Sequence, residues 1–225
     1  MTKAYQEHDS LYVAVDCIIF GFDGTEIKAL LVKRALEPEK GKWSLMGGFV
    51  GAKESVHDAA SRVLENLTGL DNVYMEQLNC FGDVKRDEAA RVVSIAYFAL
   101  IKLDDYEEAL LKKHQAGWFS LNKIPPVVFD HKEMIALSIE RLQQKAVGYP
   151  IGFELLPAKF TMQQLQALYE AVYNTHFDKR NFTKKILSLN LLNRLSEKEK
   201  ATSRKGSFLY MFDKRKYNQS KKLLF

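Results

Sequence analysis

The first part of the chain alternates as strands do. "LYVAVDCIIF" (residues 11–20) is an apolar run with a β-branched bias, closed by the turn "GFDG". "IKALLVKR" (27–34) follows as a second strand in a hairpin-like unit. After the polar loop "ALEPEKGK", "WSLMGGFV" (43–50) is extended and ends in a glycine turn. The period then lengthens. Val56, Ala59, Ala60, Val63, Leu64 and Leu67 recur at helical spacing, which predicts a helix over 55–67. "NVYMEQLNCF" and "RVVSIAYFALI" read as further strands, and "HQAGWFSLNKIPP" as a short strand and a proline-stopped loop. "HKEMIALSIERLQQKA" is a helix, and "VGYP" (147–150) breaks the pattern as a hinge. The pattern predicts one domain over residues 1–150 and a second over 151–225.

The second part has a different grammar. Thr161 with Gln164 three residues on is a capping box that starts a helix over 161–174. The turn "THFD" leads to a second helix, "KRNFTKKILSLN", with Asp178 as N-cap and Asn190 as its stop. Phe182, Ile186 and Leu189 fall at i, i+4 and i+7 and are expected to face a core. "LLNRL" and "SFLYMF" read as two strands around the basic loop "SEKEKATSRKG". Helix, turn, helix and ribbon is the order of a winged helix-turn-helix.

Composition adds a division of charge. The formal net charge is +5, yet residues 151–225 hold 15 Lys and Arg against 6 Asp and Glu, so the remainder is mildly acidic. A basic last third on an acidic first part suggests a nucleic-acid-binding module; a solvated lysine-rich tail is the plain alternative. No apolar run approaches a membrane span and the first ten residues lack signal-peptide character, so a cytoplasmic protein is expected. Cys17 and Cys80 form no CxxC pair and are expected to be small buried thiols.

Gly48, then Glu54 after five residues, Arg62 after seven more, and Leu64, Gly69 and Leu70 in register resemble the box of the Nudix family. The resemblance implies three metal-binding glutamates on the helix, and their positions hold Val63, Asn66 and Leu67 instead. Carboxylates at i, i+3 and i+4 would share one face and hold Mg²⁺; a Val, an Asn and a Leu supply one neutral oxygen. Glu65 lies about 100° around the helix from Asn66 and is expected to point to solvent. Gly48, Glu54, Arg62 and Gly69 are thus a structural remnant, with Glu54 paired to Arg62. Neither a catalytic residue, a metal nor a cofactor is expected.

"FTMQQLQALYEAVYNTHFDKRNFTKKILSLN" brings the chain nearer to the Nudix-related transcriptional regulators, a resemblance covering almost its whole length. It implies an α+β chain: a mixed-sheet α/β/α sandwich followed by a small winged helix-turn-helix. In such a domain the N-terminal residues of the second helix reach base edges. Lys179, Arg180, Asn181 and Thr183 occupy that place, with Lys184 and Lys185 for phosphates and Arg204 and Lys205 in the wing. A single domain reads few base pairs, so a homodimer on a near-palindromic DNA operator is expected. Family effectors range from ADP-ribose-like nucleotides to sugars. The cleft candidates are Lys33, Arg34, Lys42, Trp43 and Arg91, few cations for a metal-free diphosphate. The expectation is therefore a repressor of carbohydrate catabolism with a pentose effector such as arabinose; a regulator of NAD metabolism sensing ADP-ribose comes second. Trp43 is equally a core residue and Lys33 a plain strand residue. A Nudix hydrolase with relocated ligands and an RNA-binding protein are the rivals from other classes.

Overall fold

The computed structural model describes residues 8–71, 73–103, 112–148, 155–200 and 206–222. Two compact units emerge, Met1–Gly21 with Lys28–Arg141, and Phe22–Ile27 with Leu142–Phe225.

In the first unit, strands β1 (Tyr12–Phe22), β2 (Ile27–Lys33), β3 (Trp43–Ser44), β4 (Met46–Phe49), β5 (Met75–Phe81), β6 (Val92–Lys102) and β7 (Ala116–Ser120) form one sheet. Its order is β3-β2-β1-β6-β5, with β4 paired to β1 and β7 to β2. Strand alternation sorts β1 into two faces. Val15, Cys17 and Ile19 join Leu30 and Val32 under helix α1 (Val56–Thr68), which contributes Ala59, Ala60, Val63, Leu64 and Leu67. Asp16, Ile18 and Phe20 take the other face of β1 and are also buried.

Helix α1 starts where Ser55 caps the Asp58 N–H and Asp58 reaches back to the Ser55 N–H, a capping box. It ends at Gly69, whose φ of 75° is the left-handed conformation that lets its N–H reach the Glu65 carbonyl. Val63 and Leu67 are 2% and 0% exposed, so two of the positions where the resemblance implies glutamates are core. Glu65 and Asn66 face solvent. Cys17 is buried as expected, but Cys80 is exposed: it lies on edge strand β5, whose pleat turns it outward.

Helix α2 (His131–Gly148) runs on through Val147 and Gly148, where the sequence suggests a break, and the division into units falls inside it. Its late residues belong to the second unit: the Gln143 side chain donates to the Val172 carbonyl, and the Gln143 backbone carbonyl accepts from the Tyr173 hydroxyl. Tyr149 and Pro150 lie outside the described residues.

The second unit holds β8 (Phe160–Thr161), α3 (Met162–Tyr173), α4 (Lys179–Ser188), β9 (Leu192–Glu199), β10 (Ser207–Phe212) and α5 (Lys214–Lys222), with sheet order β8-β10-β9. The Thr161–Gln164 capping box forms as the sequence predicts. Strand β8 and helix α5 escape a pattern reading. One is two residues long, and the other is too polar to display an apolar stripe. Phe182 and Ile186 are buried, but Leu189 is 48% exposed, because α4 ends at Ser188 and Asn190 turns the chain with a φ of 54°.

Placing an acid at position 63 tests the packing of α1. Val63→Glu would bury a carboxyl without a partner and should destabilise the protein by on the order of 3 kcal/mol in urea unfolding. The exposed control Glu65→Gln should stay within about 0.5 kcal/mol of wild type. Equal stability of the two variants would contradict the buried position of Val63.

Candidate effector cleft and nucleic-acid interface

Within the first unit, the glycine loop rests on a buried charge. Asp16 accepts a 2.6 Å hydrogen bond from the Ser94 hydroxyl and lies 3.4 Å from the Arg86 guanidinium. Arg86 also makes a bidentate pair with Asp130, at 2.9 and 2.8 Å. His131 accepts the Leu45 N–H on Nδ1 at 3.0 Å, which leaves the Nε2 proton directed at Asp16, 3.5 Å away. Burial pushes the Asp16 carboxyl up, but His131, Ser94 and Arg86 outweigh it and hold the group below the ordinary carboxylate range. Gly47 passes directly over this carboxylate: a Cβ there would sit 2.3 Å from Asp16 Oδ1. The second glycine, Gly48, pairs with Val15 in the β1–β4 ladder.

Beside the loop, Glu54 and Arg62 form the pair expected of the motif. Arg62 donates through Nε at 3.0 Å and Nη2 at 2.6 Å, and also to the Phe49 carbonyl. These bonds, with one from the Gly51 N–H, hold the Glu54 carboxyl down to about 2. The acid is occupied in closing the loop onto α1. Neither this pair nor Val63, Asn66 and Leu67 fits a divalent cation. Among the described residues no cluster of three His, Cys, Asp or Glu side chains could hold one.

A cleft of about 500 Å³ opens against Leu45, Met46 and Gly47. Lys33, Arg34, Lys40, Lys113 and His114 line it, and no carboxylate does among the described residues. The β2–β7 pairing, with Val32 opposite Ala116, carries Lys113 and His114 to this wall. His114 Nε2 lies 3.1 Å from the Asn66 carbonyl at the end of α1. Of the residues named from sequence, Lys33 and Arg34 line this cleft. Lys42 and Trp43 line a neighbouring one with Lys33 and Phe129. Trp43 does not offer a bare stacking floor: Lys33 Nζ covers one face at 4.1 Å and Phe119 meets it edge-on. Arg91 belongs to neither cleft. It sits at the β5–β6 connection, where its guanidinium donates to the carbonyls of Gly82, Asp83 and Val92. Lys40, Lys113 and His114 were not legible as site residues, since only the sheet pairing and the closed 34–42 loop bring them in.

In the second unit, the turn into α4 is held by side chains of α3. Glu170 accepts the Phe177 N–H at 2.9 Å, and Gln166 donates to the Phe177 carbonyl and to Glu170. The Phe177 N–H is the first cause of a lowered Glu170 carboxyl. Asp178 then caps the Asn181 N–H, while Tyr169 and Phe177 pack on Phe182. With Phe182 and Ile186 turned inward, the helical period of about 100° per residue puts Arg180, Lys184 and Asn181 on the outer face, all exposed. Lys179 and Lys185 are exposed on its flanks. Thr183 is half-buried, and its hydroxyl donates to the Lys179 carbonyl, so it is less free to read a base than expected. Arg204 and Lys205 lie outside the described residues. The described part of the wing adds two cations that sequence reasoning missed: Arg194 and Lys198 both lie over the Phe208 ring, at 3.5 and 4.5 Å.

The two units define an α/β domain with a loop–helix–loop motif, joined to a winged-helix DNA-binding domain. The chain belongs to the NUDIX family: the NUDIX domain matches residues 11–138, and the NrtR DNA-binding winged helix domain matches residues 152–212. It is 29% identical over 220 residues to the ADPR responsive transcriptional repressor NtrR of Acinetobacter baylyi, covering 95% of this chain and 88% of that protein. It is 35% identical over 133 residues to the ADP-ribose pyrophosphatase of Methanocaldococcus jannaschii, covering 59% of this chain and 76% of that one. Shewanella oneidensis NrtR, solved with a 27mer DNA, superposes with a TM-score of 0.79 at 28% identity, covering 92% of this chain and 95% of that one. Its NUDIX domain has also been solved with ADP ribose (TM-score 0.50, 27% identity, 63% and 99% covered). No described helix is long and apolar enough to cross a membrane.

The Asp16 cluster carries a pH signature. A carboxyl lowered on folding contributes stability that is fully present above its unfolded value and is lost as pH falls through the folded one. Asp16→Asn should therefore cost about 1–3 kcal/mol at neutral pH. The gap to wild type in urea unfolding should close below the ordinary carboxylate range. A gap independent of pH would contradict an ionised Asp16.

Proposed function

We propose that the chain is a ligand-responsive DNA-binding repressor whose NUDIX domain senses ADP-ribose or a close nucleotide diphosphate without hydrolysing it. The observation that carries the ligand class is the cleft of Lys33, Arg34, Lys40 and Lys113 beside the glycine loop. A diphosphate stripped of metal needs cations from the protein. Each unit charge within about 4 Å supplies on the order of 4 kcal/mol before desolvation is counted. A neutral pentose can accept hydrogen bonds from these groups but offers no charge to pair with them and would leave them less hydrated. The arabinose-type effector and the link to carbohydrate catabolism therefore lose their support. The names of the Acinetobacter and Shewanella relatives favour the ADP-ribose alternative.

On the DNA side, Arg180 and Asn181 on the outer face of α4 suit guanine and adenine edges, and Lys184 and Lys185 suit phosphates. A homodimer on a near-palindromic operator remains part of this reading, since one recognition helix spans few base pairs. Ligand would shift the balance between dimer arrangements by binding one of them better. The pyrophosphatase relative supports a second reading, hydrolysis, but Val63, Asn66 and Leu67 leave that chemistry without its metal ligands.

Calorimetry with two variants separates the halves of this proposal. Reversing two exposed cleft charges together, Lys40→Glu with Lys113→Glu, should weaken ADP-ribose binding at least about tenfold, or 1.4 kcal/mol. Arg180→Ala should leave that affinity unchanged and abolish sequence-specific DNA binding. Unaltered nucleotide affinity in the charge-reversed protein would remove the cleft from the account.

A further inference from the structure

The winged-helix match ends at residue 212, and the chain continues into α5, "KRKYNQSKK", which contains no acidic residue. The start of this helix is fixed to the exit of the recognition helix. The Asp213 N–H donates to the carbonyl of Leu191, which follows α4, at 2.9 Å. Asp213 caps the N–H groups of Arg215 and Lys216 and accepts from the Asn193 amide at 3.0 Å. Lys216 Nζ donates to the Asn193 amide oxygen at 3.0 Å. Tyr217 packs on Phe212, with ring centroids 5.6 Å apart. The helix is therefore anchored on the Lys216–Tyr217 side.

The opposite side is cationic. Lys214, Arg215, Asn218 and Gln219 are exposed. Neither Lys214 nor Arg215 is in an ion pair among the described residues. Two cations and two amides thus share one face, beginning next to the end of the base-reading helix.

We propose that α5 is a second DNA-contacting element, which binds phosphates of the duplex flanking the bases read by α4. The ligand class is the duplex backbone: adjacent exposed cations flanked by amides, outside the base-reading helix, suit phosphates and not base edges. This contact rests on the DNA-binding reading above and extends it to a part of the chain outside the winged-helix match.

The test uses the full-length chain, a duplex that it selects from a random-sequence pool, and a scrambled duplex of the same length. Lys214 and Arg215 are changed together to Gln, which has a helix propensity close to theirs. A second variant exchanges the same residues between Lys and Arg and retains the charge. The Gln variant should lose at least about tenfold in affinity near 0.1 M salt, equally on both duplexes. Its log-affinity against log-salt slope should shrink by about 0.9 for each phosphate contact removed. The charge-retaining variant should keep the wild-type slope. An unchanged slope in the Gln variant, with wild-type binding intact, overturns the α5 contact alone. Failure of the wild-type chain to select any duplex overturns the DNA-binding reading as well.

Discussion

The glycine loop of the NUDIX domain can lie where it does because Asp16 is buried, charged and surrounded. An ionised carboxylate out of water is costly unless its partners are fixed, and here they come from across the sheet and its connections: Ser94 from β6, Arg86 from the β5–β6 connection and His131 from the start of α2. The same His131 receives the Leu45 N–H, so the segment leading into Gly47 is positioned by the group that faces the acid. Gly47 then crosses Asp16 with no room for a side chain. The wall of the cationic cleft follows from that crossing.

Around this anchor the domain keeps the geometry of the loop–helix–loop. Glu54 is committed to Arg62 and closes the loop onto the helix. Val63 and Leu67, where the box would present carboxylates, face inward and enlarge the core. That face of the helix is given to packing, while positive charge lines the cleft in Lys33, Arg34, Lys40 and Lys113. That distribution is the basis for the proposal that the domain holds a diphosphate without cleaving it.

The elements that the sequence made legible are those with a strong local signal. The helix over 55–67 was visible from six apolar positions and a glycine stop. The α3–turn–α4 unit was visible from a capping box, an N-cap and the "DKRNF" run. Their tertiary partners were not. Nothing local marks Lys113 or His114 as cleft residues; a strand pairing between β2 and β7 puts them there. Arg91 shows the converse: a basic residue at the head of a strand looks available until its carbonyl partners are known. A count of cations by sequence neighbourhood favours a pentose and undercounts a pocket assembled by topology. Leu189 followed the helical period one step past the point where the helix ends.

The central claim is that this domain binds a diphosphate nucleotide intact and transmits the event to DNA. It is tested most directly by fluorescence anisotropy of a labelled duplex bound to the full-length chain. ADP-ribose is titrated in with Mg²⁺ present, and the nucleotide is recovered afterwards for phosphorus NMR. The account predicts a saturable change in DNA affinity with ADP-ribose, none with arabinose, and nucleotide recovered uncleaved. Release of AMP and ribose 5-phosphate at a catalytic rate, or a response to arabinose alone, would contradict it.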